Sequence, residues 1–173
     1  IHEANQIAYP NRVGLPRAYD NLEVKKAVEE AKSQVDFLFV LIHWGERRGG
    51  EEPIAKQERL ARVIAQSGGD VIIGNRSIRA QRMQNVNGVP VFFSIGRSVS
   101  EHANDGQINM VLDVYFSHNR AETAPYKVVL RAGIMHDGVL QFAPLGEEVT
   151  HQLHDTLAEA WQDESMELAV NGG

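Results

Sequence analysis

The chain has 173 residues, of which 43% are hydrophobic and 23% charged, with a formal net charge of −6 and no cysteine. That length and balance suit one globular domain with a core of its own. The acidic balance argues against nucleic acid or anionic lipid as a partner held by overall charge, and the lack of cysteine excludes disulfides and thiolate metal sites while leaving the compartment open.

The longest apolar run, Phe37 to Ile42, falls far short of the roughly 18 residues that cross a membrane, and no signal peptide is visible. The first residue is Ile1 rather than methionine. The expectation is therefore a processed or truncated piece, from which a targeting segment could have been lost.

Residues 1–20 carry Pro10, Gly14 and Pro16 without clear periodicity and read as a loop or extended lead-in. From Leu22 to Gln34 the apolar positions Leu22, Ala27, Val28, Ala31 and Val35 recur at helical spacing, with Asp20 or Asn21 as cap. The FLFVLI run after Asp36 reads as a parallel strand covered on both faces. Glu46 to Glu52 reads as a polar loop, Pro53 as the first turn of a helix through Leu60, Ala61 and Ile64, and Ser67-Gly68-Gly69 as its end. Val71–Ile73 is the next strand, which completes a β-α-β unit.

The pattern then becomes antiparallel. Asn87-Gly88 marks a tight turn between Met83–Val86 and Val89–Ile95. Ile108–Phe116 and Pro125–Arg131 read as strands separated by a turn region at Ser117–Thr123, and Asp137-Gly138 turns toward Val139–Phe142. Thr150 to Asp163 reads as an amphipathic helix with Leu153, Leu157, Ala160 and Trp161 on one face, followed by a frayed, polar terminus. No repeat or linker divides the chain.

Three strand ends carry the polar residues: His43-Trp44-Gly45, then Gly74-Asn75-Arg76-Ser77-Ile78-Arg79, then Ser94-Ile95-Gly96-Arg97-Ser98. Strand ends converging on one edge are how open α/β sheets build sites. In order, His43-Trp44-Gly45, Pro53 and Gln57, the helix end Gly68-Gly69-Asp70-Val71-Ile72-Ile73-Gly74, the stretch through Gln81, and Asn87-Gly88 with Phe93-Ser94-Ile95-Gly96 resemble the CapA-type family. That family, also called the PgsA or capsule and poly-γ-glutamate synthesis family, has a calcineurin-like metallophosphoesterase fold.

The resemblance covers roughly residues 15–145, the family's C-terminal half. It implies an α/β fold: part of a two-sheet sandwich with a βαβ unit, antiparallel strands and a C-terminal helix. Residues 1–173 then form a single domain, the C-terminal portion of a larger CapA-like one.

The framework matches and the chemical positions mostly do not. Where the family has histidines after Gly74, this chain has Asn75, Arg76 and Ile78; where it has asparagine after Ser-Leu-Gly, this chain has Arg97. The family's N-terminal ligand motifs are absent. Asn21-Leu22-Glu23 spells one of them but opens a helix. His43 alone survives as a metal ligand candidate, and a two-metal phosphoesterase site needs several carboxylate, imidazole and amide ligands around cations about 3.5–4 Å apart. A lone histidine at a strand end is more often a hydrogen-bonded structural residue.

Arg76, Arg79 and Arg97 would stand near the cation positions of active relatives, where a guanidinium can replace a cation's charge, bind phosphate or carboxylate, or simply be solvated. The candidate cleft is therefore His43, Trp44, Asn75, Arg76, Arg79 and Arg97. Glu46, Glu51 and Glu52 with Arg47 and Arg48 read as a solvated loop beside it. His102, His118, His136, His151 and His154 are scattered, and no phosphate loop, serine triad or basic-aromatic nucleic-acid patch appears.

The expectation is a non-catalytic homologue in synthesis or assembly of an anionic bacterial surface polymer, extracytoplasmic and membrane-associated, with an anion-binding cleft for polymer or phosphate and no cofactor. One alternative is a metal-dependent phosphoesterase whose other ligands, with a divalent metal, lie in a missing N-terminal half. Another is a structural subunit completed by a partner chain. A half-sandwich should leave an apolar sheet face uncovered, to be met by a second chain or the missing half.

Overall fold

In the computed structural model, residues 20–46, 50, 53–96, 108–115, 127–142 and 166–169 are described. Helix α1 (Asn21–Lys32) starts where Asp20 accepts hydrogen bonds from the amides of Leu22 at 3.0 Å and Glu23 at 3.2 Å, satisfying donors that the first turn leaves unpaired. Strand β1 (Phe39–His43) leads into helix α2 (Ala55–Gln66), and strand β2 (Val71–Asn75) follows. Ile54, not Pro53, is the N-cap of α2, so Pro53 lies one residue outside the helix rather than in its first turn. Ile54 has no capping side chain; instead Gln57 Oε1 accepts from the Ile54 amide at 3.0 Å.

Strands β3 (Ala80–Val86) and β4 (Val89–Ile95) form the hairpin expected at Asn87-Gly88, whose φ values of 54° and 83° suit the tight turn. The first sheet has the order β1-β2-β4-β3, with β1, β2 and β4 parallel and β3 antiparallel at the far edge. Val28, Leu60, Ala61 and Ile64 from the helices join Trp44, Ile72, Val86, Val91 and Phe93 in one buried cluster.

A second sheet holds β5 (Ile108–Tyr115), β6 (Lys127–His136) and β7 (Val139–Gln141) in antiparallel order. Asp137-Gly138 turns β6 into β7. Strand β8 (Met166–Ala169) runs parallel beside β6, which corrects the expectation of a frayed terminus: alternating Met166 and Leu168 suit a strand with a partner. The helix expected from Thr150 to Asp163 and the turn at Ser117–Thr123 lie outside the described residues. Strand β5 packs against β3 and β4, and Phe92, Met83, Met110 and Met135 are buried. The architecture is α/β, a mixed sheet with an antiparallel sheet beside it.

The expectation that the FLFVLI strand is covered on both faces is not met. Among the described strands β1 is an edge, and Leu41 is 75% and Phe39 39% exposed, whereas Val40 and Ile42 pack on the helix-side cluster. The cause is the reach of the second sheet, which covers the β3–β4 half of the first sheet. Phe39 and Leu41 are therefore left exposed on β1.

Asp70 joins the helical layer to this sheet. Its Oδ2 accepts from the Leu38 amide and from Lys32 Nζ, both at 2.7 Å, while Lys32 also reaches the Asp36 carbonyl at 2.8 Å. Asp70→Ala leaves the Leu38 amide unmatched and Lys32 with the Asp36 carbonyl alone, and is expected to cost about 2–3 kcal/mol in urea denaturation. Lys32→Met, which leaves the Leu38 bond in place, should cost less than half of that.

Candidate functional site

Parallel pairing brings the carboxyl ends of β1, β2 and β4 to one edge, with His43 in register with Asn75. One side chain clamps the three ends. Trp44, fully buried, passes over Gly74 and donates its indole Nε1–H to the Phe93 carbonyl at 2.7 Å, with its ring stacked 5.6 Å from that of Phe93. A Cβ on residue 74 would lie 2.1 Å from Trp44 Nε1 and 2.3 Å from the Phe93 oxygen, so only glycine fits. Trp44 thus ties the three strand ends together.

Two other contacts of the same kind fix the neighbouring loops. Gln57, fully buried, lies against Gly45, where a Cβ would come within 2.9 Å of its amide. It donates to Gln81 Oε1 at 3.0 Å, and Gln81 donates in turn to the Gly50 carbonyl at 3.0 Å. Asn109 of β5 lies against Gly96 at the end of β4. Both glutamines stand in the motif stretches, but their amide chain requires α2, β3 and the β1 loop to meet, which spacing does not reveal. Asn109 carried no signal at all.

On this frame sit the polar residues. His43 and Asn75, both exposed, are joined by a 2.5 Å bond from Nδ1 to Oδ1. Arg76 is half-buried and has φ of 102°, a conformation that a bulky residue adopts only when its surroundings impose it, at about 1–3 kcal/mol. No described residue lies within hydrogen-bond or ion-pair distance of its guanidinium, in contrast to Arg82 with Glu58 at 2.7 Å and Arg131 with Asp113 at 2.8 Å.

Ser77 is 2% exposed and its Oγ has no hydrogen-bond partner. Its carbonyl meets Ser94 Oγ at 3.4 Å, so it stands between the ends of β2 and β4. Arg79 is exposed in the segment leading into β3, and Glu46 is exposed beyond β1. Arg97, with Arg47, Arg48, Glu51, Glu52, Ser98, His102, His118, His151 and His154, lies outside the described residues. His136 is paired with Asp137 at 3.6 Å on the other sheet.

Among the described residues no group of three or more His, Cys, Asp or Glu side chains could hold a metal ion. The donor set at the strand ends is one imidazole beside an amide and a guanidinium, which does not fit a two-cation centre. The donors in this set are all N–H groups. No described helix is long and apolar enough to cross a membrane.

The frame and its strand-end cleft belong to a recognisable class of chain. A family model described as bacterial capsule synthesis protein PGA_cap matches residues 2–102, more than half of the chain, and the chain belongs to that family. It is 32% identical over 72 residues to the PGA biosynthesis protein CapA of Bacillus subtilis (strain 168), a stretch that is 42% of this chain and 19% of that protein. It is 30% identical over 77 residues to the capsule biosynthesis protein CapA of Bacillus anthracis, covering 44% of this chain and 18% of that protein. The matched stretch spans less than a fifth of either relative.

The clamp and the buried hydroxyl predict opposite effects on stability. Gly74→Ala should cost about 3 kcal/mol or more, since neither the indole nor the Phe93 carbonyl can yield, and Trp44→Phe about 2–3 kcal/mol through the lost bond and ring volume. Ser77→Ala removes an unpaired buried hydroxyl and should stabilise by about 1 kcal/mol. Thermal unfolding of the three variants checks all of these.

Proposed function

We propose that this chain is a non-catalytic component in the synthesis or assembly of an anionic bacterial surface polymer, acting on the outer side of the membrane and binding anionic groups at the strand ends that carry His43, Asn75, Arg76 and Arg79, with the buried Trp44 in the frame. Membership of the capsule synthesis family and the names of the two Bacillus proteins, which refer to PGA and capsule biosynthesis, support the setting. The observation that carries the binding role is Arg76. Arg76 is a half-buried residue held at a strained φ of 102°, and its guanidinium has no acceptor among the described residues, which leaves its charge for a group outside them. Kinship with the metallophosphoesterase sandwich accords with the mixed sheet and the antiparallel sheet beside it.

Two further readings keep an observation each. The bond from His43 Nδ1 to an amide oxygen makes Nε2 the basic ring atom, as in metal-binding histidines; a phosphoesterase completed by ligands elsewhere in a longer protein would use it so. The exposed apolar side chains Phe39 and Leu41 on edge strand β1 suit coverage by a further stretch of a family-length polypeptide or by a partner chain.

The test is direct titration of the full chain with poly-γ-glutamate, a neutral polymer serving as control. The wild-type chain should bind the polyanion and not the neutral polymer. Arg76→Gly should lose at least tenfold in affinity without losing stability, because glycine accepts the positive φ that strains arginine. Unchanged binding in that variant would remove the anion role. Stoichiometric divalent metal in a family-length protein together with turnover of a phosphodiester would replace the reading with the phosphoesterase one.

A further inference from the structure

Asn75 closes β2 with one side of its amide committed. Its Oδ1 receives His43 Nδ1 at 2.5 Å, and its main-chain carbonyl accepts from the Trp44 amide at 3.2 Å. An amide oxygen can only accept, so the imidazole is the donor and carries a proton on Nδ1. The same bond orients the amide. With Oδ1 turned to β1, the Nδ2–H donors point away from His43, and no described residue accepts from them.

The next residue supplies the unpaired guanidinium of Arg76. Two consecutive residues at the end of β2 thus carry N–H groups that no described residue accepts. A cation finds little here to coordinate. A group with two or three acceptor oxygens can bond both.

We infer that Asn75 and Arg76 together read one oxyanion, a carboxylate or a phosphate, and that His43 is a positioning residue which turns the Asn75 amide so that its donors, not its oxygen, meet the ligand. This rests on the anion-binding reading proposed above and adds to it the orientation of Asn75. It gives His43 a role other than metal ligation, and it accounts for the pairing of an imidazole with an amide at the register position shared by β1 and β2.

The experiment is calorimetric titration of the full chain and its variants with poly-γ-glutamate and, separately, with inorganic phosphate. Asn75→Asp keeps the shape and replaces donors with a negative charge, so affinity for both probes should fall at least tenfold. His43→Leu removes the orienting donor and should weaken binding about three- to tenfold. His43→Asn, whose amide nitrogen takes the place of Nδ1, should restore it to within about twofold.

A stronger response to the polymer names the carboxylate as the ligand, and a stronger response to phosphate names phosphate. If the wild-type chain binds neither probe, the anion reading and this inference both fall. If it binds and Arg76→Gly abolishes binding while Asn75→Asp or His43→Leu matches wild type, the anion reading stands and the orientation of Asn75 by His43 is overturned. Equal loss in His43→Leu and His43→Asn overturns the positioning role as well.

Discussion

The passage of Trp44 across Gly74 to the Phe93 carbonyl is the contact on which the rest of the molecule hangs. Parallel strands are joined only sideways, by bonds that leave their ends free to splay. One indole spanning three strands removes that freedom, and because it is fully buried its single polar hydrogen must be bonded. The contacts of Gln57 on Gly45 and Asn109 on Gly96 extend the arrangement to the loops. Each strand end therefore has a glycine on which a side chain from another segment rests. A frame held this closely can keep Arg76 at a positive φ that an unsupported loop would relax.

The frame and the chemistry are separable because strand residues alternate. Gly74 is buried under Trp44, and Asn75, the next residue, is exposed. Substitution at the outward position changes the donors offered to a ligand without disturbing the clamp below. That is why a His-Trp-Gly and Gly-hydrophobic frame can be kept while the polar residues beside it vary. Recognition by framework and inference of activity answer different physical questions, and the proposed non-catalytic role rests on residues adjacent to the frame rather than on the frame itself.

Much of the fold was legible because its signals are local. Asp20 caps α1, Asn87-Gly88 and Asp137-Gly138 turn two hairpins, and alternating helical and apolar runs gave the β-α-β unit. What failed depended on neighbours. An all-apolar run cannot report which of its faces another sheet reaches, so the open side of β1 at Leu41 was hidden. Four residues at Met166–Ala169 hold too little pattern to declare a strand until β6 lies beside them. At the site, His43, Asn75 and Arg76 were legible by residue type. Their relation was not, since the His43–Asn75 bond joins positions 32 residues apart through strand register. The unpaired Ser77 hydroxyl is a property of packing alone.

The net charge of −6 appears at first to oppose a polyanionic ligand. Distance decides otherwise. At physiological ionic strength exposed charges are screened beyond about 8 Å, so carboxylates spread over the surface add only a weak long-range repulsion. Arg76 and Asn75 act at contact, where a guanidinium–oxyanion bond is directional and poorly screened. On the anion-binding reading proposed above, the acidic surface would disfavour loose, non-specific attachment of anionic polymer along the molecule and leave attachment to the strand edge where, among the described residues, adjacent donors lack protein acceptors. A basic chain would coat itself in such a polymer, whereas on that proposed reading an acidic one with a local donor pair would hold a single group of it.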